Sequence, residues 1–211
     1  MRIPEVWLAR VIKPSVFVAS LLPLAWLAWG WSTDGLGANP IEATTRFLGD
    51  WALRFLLIAL AVTPVRLLTG WNWLARFRRM MGLFAFAYAM LHLFSYIGLD
   101  QFFAWGRIWA EILKRTYITV GMLGILCLIP LAITSTKGMV RRLGGKRWQK
   151  LHRLAYVAGV AGVVHYYMMV KADVREPLIY GAILTVLFGI RLWYGRARQV
   201  QGARPSVARK V

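Results

Sequence analysis

The sequence predicts an all-α fold: a polytopic membrane helical bundle of six transmembrane helices with both termini in the cytoplasm. Three observations predict it. The 211 residues are 59% hydrophobic and include 11 Trp and 10 Phe, more apolar than a soluble domain. Six runs poor in charge are each long enough to cross roughly 30 Å of hydrocarbon. The formal net charge is +19, and its bearers gather on alternate sides of those runs. Several classes are excluded by the same arithmetic. A nucleic-acid binder could be this basic, but not with long uncharged aromatic runs. Disorder is incompatible with the apolar content. The single cysteine, Cys127, cannot form an intrachain disulfide.

The first run, 15–31, follows Arg10 and Lys13 as a signal peptide would. It is long and Trp-rich and no A-x-A cleavage site follows, so it reads as a retained helix that contains Pro23. The second, 50–69, carries Pro64 near its inner end, and the third is 81–99. The fourth, 116–134, contains Pro130, which neighbouring helices can accommodate in a membrane. The fifth and sixth are 154–170 and 177–194. Connections between the runs are too short for a soluble domain, so residues 1–196 form one transmembrane unit. Residues 197–211, with Gly202 and Pro205, read as a disordered basic cytoplasmic tail.

Orientation follows from the cations. Twenty of the 27 Lys and Arg fall on one side, among them Arg78, Arg79, Lys137, Arg153 and Arg191. The other side holds seven cations and seven of the eight acids. The basic side is cytoplasmic by the positive-inside rule, and an even number of spans places both termini there. The basic loop 137–153 reads either as an anionic-lipid contact and topology signal or as a docking or phosphate site.

Only three histidines occur: His92, His152 and His165. An ionisable group inside a span is costly and is by default a candidate functional site. His92 lies 11 residues into the third run and His165 13 residues beyond His152. At about 1.5 Å per residue the two depths agree within roughly 3 Å. Matching depth on separate helices is what a haem held by two imidazoles requires. Interhelical hydrogen bonding is the bland alternative. Small neighbours such as Ala158, Ala161, Gly162, Ala85 and Ala89 leave room for a flat group, although they also suit plain close packing. Zinc would ask for more ligands than two. His152 sits at the interface, about 140° around an ideal helix from His165, so it is either a solvated histidine or a ligand of a second, inner haem. Arg54 lies near the outer end of the second run and reads either as a partner for a haem propionate or as snorkelling to the headgroups.

These residues resemble a known family, the haem-binding membrane subunits of the periplasmic methionine sulfoxide reductase system (MsrQ, also YedZ). The likeness rests on Leu21-Leu22-Pro23, Gly35-Leu36-Gly37-Ala38-Asn39-Pro40, Gly49 with Trp51-Ala52-Leu53, and Thr63-Pro64. It continues through Arg78-Arg79 with Gly82-Leu83, and Leu91-His92-Leu93. Its most specific part is Thr134-Ser135-Thr136, Leu143-Gly144, Trp148 with Leu151-His152, Tyr156 and His165-Tyr166, closed by Pro177-Leu178-Ile179-Tyr180. The resemblance implies membership of the wider ferric-reductase-like group and b-type haem (heme b) with iron held by His92, His165 and His152. It implies one haem with a second left open, and FMN, for which the sequence offers no motif. NADPH oxidases of that group carry a further inner histidine that this chain lacks. The implied role is a multi-pass cytochrome of the bacterial inner membrane. It would take electrons from a cytoplasmic flavin reductase or the quinone pool and pass them to a periplasmic molybdopterin methionine sulfoxide reductase. On this reading the chain is an electron-transfer subunit rather than the catalytic one. The alternatives are a stand-alone ferric-reductase-like oxidoreductase and a membrane anchor or permease without haem.

Overall fold

The computed structural model describes residues 4–202, with side chains described through Ala197. It is all-helical among those residues, with nine helices in chain order. Five are long and apolar enough to cross a membrane: α1 (Glu5–Ser32), α2 (Pro40–Thr69), α3 (Asn72–Asp100), α5 (Thr116–Ile133) and the Arg175–Ala197 part of α9 (Arg175–Gly202). Between them lie α4 (Trp105–Lys114), α6 (Lys137–Leu143), α7 (Gly145–Leu151) and α8 (Leu154–Met169). The sixth expected span corresponds to α8, which has only 16 residues, or about 24 Å at 1.5 Å per residue. The expected tail over 197–211 begins inside α9, and its remainder lies outside the described residues.

Helix ends follow local chemistry. Asn39 caps α2 by accepting from the Glu42 amide at 3.2 Å, with Pro40 at the first helical position. Gly70 ends the same helix with φ of 72°, a conformation that costs glycine little. The hydropathic run begins at 50, whereas α2 starts ten residues earlier. Glu42, Arg46 and Asp50 hide that first part from a hydropathy reading, yet it carries half of the site described below.

Two antiparallel pairs make the core. α2 packs against α3 and α5 against α8, and α9 closes on α2 and α8. Leu53, Phe55, Leu56, Leu60, Ala85 and Leu128 belong to the buried cluster between them. Tyr88 is 1% exposed and donates from its hydroxyl to the Ser20 carbonyl at 2.8 Å, which ties α3 to α1. Many large apolar side chains point outward, such as Trp26, Trp29, Leu126 and Leu178, as expected where lipid replaces water. The bundle has a basic end, marked by Arg78, Arg79, Lys137 and Arg191, and a far end where α4 crosses between α3 and α5.

Candidate functional site

His92 projects from α3 and His165 from α8, and the structure brings them together. Their ring centroids are 6.1 Å apart and the ring planes meet at 78°. This meets the expectation of equal depth. Each ring is fixed by its Nδ1. That of His92 lies 2.8 Å from the Thr45 carbonyl, and that of His165 2.7 Å from the Tyr117 carbonyl. A carbonyl only accepts, so both Nδ1 atoms carry protons. In a neutral imidazole the Nε2 then keeps a lone pair, the usual state of a metal-bound histidine whose other nitrogen is anchored.

Both anchors are built the same way. Thr45 lies in the second turn of α2 and Tyr117 in the first turn of α5, and four residues on come Gly49 and Gly121. Side chains on a helix lean toward its N-terminus, so a residue at i+4 covers the carbonyl at i. Glycine leaves it open. A Cβ at Gly49 would lie 3.0 Å from His92 Nδ1, and one at Gly121 would lie 2.8 Å from His165 Nδ1. Each imidazole therefore rests on a bare strip of the helix paired with its own. Sequence reasoning quoted Gly49 only for resemblance and passed over Gly121. The available signal was spacing, since 43 residues separate Gly49 from His92 and 44 separate Gly121 from His165.

The two histidines line a cavity of about 1040 Å³. Its middle is apolar or small, with Leu53, Leu56, Ala89, Leu128, Ala158 and Gly162. Its far mouth is polar, with Tyr96, Asp100, Gln101 and Lys171 beneath α4. Two metal–nitrogen bonds of about 2 Å and two imidazole radii of about 1.1 Å, set end to end, span roughly 6 Å. The observed 6.1 Å fits one iron between the rings. Among the described residues no group of three His, Cys, Asp or Glu could hold a metal ion. Two imidazoles at this spacing, over a pocket with an apolar middle, have the chemistry to hold a haem.

Arg54 is not brought to this cavity. Its Nε donates to Tyr180 on α9 at 2.8 Å and its guanidinium lies 5.1 Å from the Trp51 ring centroid. Its depth suits a haem edge, but it faces the other side of α2.

His152 occupies a second cavity, about 600 Å³, at the basic end. Arg78, Arg79, Lys137, Arg153 and Arg191 line it, and among the described residues no carboxylate does. Thr134 donates its hydroxyl to the Pro130 carbonyl at 2.6 Å, so it accepts from His152 Nε2 at 3.1 Å. His152 stacks on Trp148 with centroids 3.8 Å apart. Burial first, and then the Arg78 charge, push its pKa below the ordinary value. Arg191 donates to Tyr156 at 2.7 Å and to the Leu60 carbonyl at 2.6 Å, while its buried Nε has no partner among the described residues. Leu56 and Leu128 line both cavities, so one layer of side chains separates them.

Residues 48–163 match the family described as ferric reductase like transmembrane component. The chain is 61% identical over 197 residues to a Rhodospirillum rubrum protein named protein-methionine-sulfoxide reductase heme-binding subunit MsrQ, covering 93% of this chain and 95% of that one. Proteins of the same name from Caulobacter vibrioides and Herminiimonas arsenicoxydans are 54% and 52% identical. They cover 86% and 87% of this chain, and 86% and 85% of their own lengths.

Proposed function

We propose a function from one premise: the chain belongs to the ferric-reductase-like transmembrane family, and within it to the MsrQ haem-binding subunits of methionine sulfoxide reductase. On our reading it is a b-type cytochrome of the bacterial inner membrane that carries electrons outward. The observation that carries this is the pair of imidazoles, each held through Nδ1 by a carbonyl and so left with Nε2 free, whose ring centroids lie 6.1 Å apart. His92 and His165 would hold the haem, and the iron supplies reversible one-electron transfer. Thr45 and Tyr117 hold the Nδ1 protons and so fix which nitrogen binds. Leu53, Leu56 and Leu128 keep water from the centre of the slot.

The basic end faces the cytoplasm on this reading, by the charge asymmetry. α8 crosses with the five longer helices, since it lines the basic cavity at Ala155 and the haem slot at His165, alongside α5. Six crossings place both termini in the cytoplasm. The far mouth then opens to the periplasm, where a molybdopterin methionine sulfoxide reductase is the acceptor.

The basic cavity suits FMN. Its cations match a phosphate, and Trp148 with Tyr156 gives aromatic walls. Bound there, a flavin would convert two-electron reduction into single-electron steps. A cytoplasmic flavin reductase or the quinone pool is the donor, and the cations of the cavity speak for the flavin route. His152 has its Nε2 committed to Thr134 and lines the flavin site in this account, so one haem is bound.

Purified protein tests the assignment. A Soret band lost in His92→Ala and in His165→Ala, and retained in His152→Ala, is expected. A colourless wild type, or haem that survives loss of both outer histidines, overturns it. Reoxidation of the reduced haem by a ferric chelate but not by the periplasmic reductase would favour a stand-alone ferric reductase instead.

A further inference from the structure

α4 joins the end of α3 at Asp100 to the start of α5 at Thr116. Both points lie at the far end of the bundle, so its ten residues run across that end rather than along the axis. About 100° separates successive residues of a helix. Measured from Trp105, Trp109 lies about 40° round and Leu113 about 80°, whereas Lys114 and Arg107 lie about 180° and 200° round. Ile108, about 60° to the other side of Trp105, is buried, and with Ile112 it lines the slot. One edge of the apolar arc therefore covers the far mouth. The other edge is bare: Trp105 and Trp109 are each 64% exposed and Leu113 is 71% exposed.

The turn before α4 adds to this bare edge. Phe102 and Phe103 have φ of 48° and 58°, a left-handed backbone that bulky side chains rarely adopt. The turn is held by the Phe103 amide on the Ile97 carbonyl and the Ala104 amide on the Gln101 carbonyl, both at 2.9 Å. Yet the two rings project outward, 72% and 61% exposed. In water that arrangement adds exposed apolar area to backbone strain. In a bilayer the rings gain burial that offsets the strain. Three features select lipid over a protein partner. The bare edge follows directly in the chain on Phe94 and Leu99, which face outward on the spanning helix α3. Its residues are Trp, Phe and Leu, the composition of helices that lie in the headgroup–acyl boundary. Arg107 and Lys114, both exposed, take the opposite side, where such helices carry cations.

We infer that α4 and the turn at Phe102 and Phe103 are seated in the headgroup–acyl boundary of the leaflet at the far end, and that this seat holds α4 as a lid over the slot. The seat stands on the exposed face alone, while the effect of the lid on haem rests on the haem reading above. Full-length protein in nanodiscs of phosphatidylcholine and phosphatidylglycerol tests both. With Cys127→Ala as background, spin labels go on Leu113→Cys and on Lys114→Cys, neighbours in sequence that stand about 100° apart on the helix. The first label should collide mainly with oxygen and the second with a water-soluble nickel chelate. A Leu113→Cys label as open to nickel as the Lys114→Cys label overturns the inference. So does one reached by neither reagent, since protein then covers the face. Phe102→Asn with Leu113→Gln removes two anchors that do not line the slot, so it reaches a bound haem only through the position of α4. That double variant should keep its Soret band and lose haem to apomyoglobin about tenfold faster, because local opening then costs less. Trp29→Ala, on the outward face of α1, should release haem as wild type does. A double variant with the wild-type rate refutes the lid, as does an equal acceleration in Trp29→Ala. A wild type without any Soret band sinks the haem reading instead, and the label depths then decide the seat.

Discussion

Replacing Gly121 by alanine adds a single methyl group, and the structure sets what it does. The new Cβ would lie 2.8 Å from His165 Nδ1 and 3.0 Å from its Cε1. Ordinary contact begins near 3.4 Å, so the ring must retreat by about 0.6 Å. Metal sites tolerate roughly 0.2 Å. The retreat also stretches the Nδ1 bond to the Tyr117 carbonyl, now 2.7 Å, and leaves a shielded N–H at a cost of about 1–3 kcal/mol. That is roughly 10–100-fold in haem affinity, the scale known for lost anchors of metal-bound histidines. Alanine in a helix is meanwhile better than glycine by about 0.8–1.0 kcal/mol. Gly121→Ala should therefore weaken the haem complex, while in the haem-free protein the helix gain offsets much of the cost of the displaced ring. At Gly49 the gap is 3.0 Å, so Gly49→Ala should show the same pattern more mildly. Haem content by pyridine haemochrome, transfer to apomyoglobin, and thermal melts of both forms measure all three quantities. Full haem retention with an unchanged transfer rate in Gly121→Ala would refute the reasoning, as would a larger loss in Gly49→Ala.

Other expectations follow from the same geometry. Imidazole planes at 78° leave the ferric d-orbitals nearly degenerate, so the haem should give a highly anisotropic low-spin EPR signal, and a well-resolved rhombic one would mean that the rings rotate on binding. Arg191→Met should empty the basic cavity of flavin while the Soret band stays, and parallel loss of both would show that one site had been mistaken for two. The depressed His152 pKa means that the unfolded chain takes up the proton first as pH falls. Stability from this residue is thus complete above about pH 6.5 and declines below it. Arg78→Gln should raise its titration in histidine NMR, and no change would remove Arg78 as a cause.

Depth was legible in the sequence and azimuth was not. Counting residues from the span boundaries placed His92 and His165 level, because rise along a helix is nearly constant. The same reading placed Arg54 near the outer end of its span, at the depth of a haem edge, yet Arg54 turns toward Tyr180. Rotation about a helix depends on which neighbours pack where, and no single run of sequence states that. His152 was set apart by its angle from His165, and the chain does break between them, in the turn before Leu154. The glycine-and-carbonyl anchors were hidden for a different reason. Half of each anchor is a backbone oxygen, which every residue possesses, and the other half is a missing side chain. The first turns of α2 escaped because charged residues interrupt the apolar run there, although Thr45 and Gly49 depend on that segment being helical.

The oxygens that steady the two imidazoles belong to peptide groups, and this bears on how the protein can vary. Where a carboxylate or amide side chain anchors a metal-bound histidine, a point mutation can retune the basicity of the ring and with it the redox potential. Here no codon change at Thr45 or Tyr117 removes the acceptor. Only a residue larger than glycine one turn away, or a break in the helix, reaches it. An iron held by these rings would thereby be shielded in its electronic setting from most drift in sequence, while the side chains at the mouths of the slot stay free to vary.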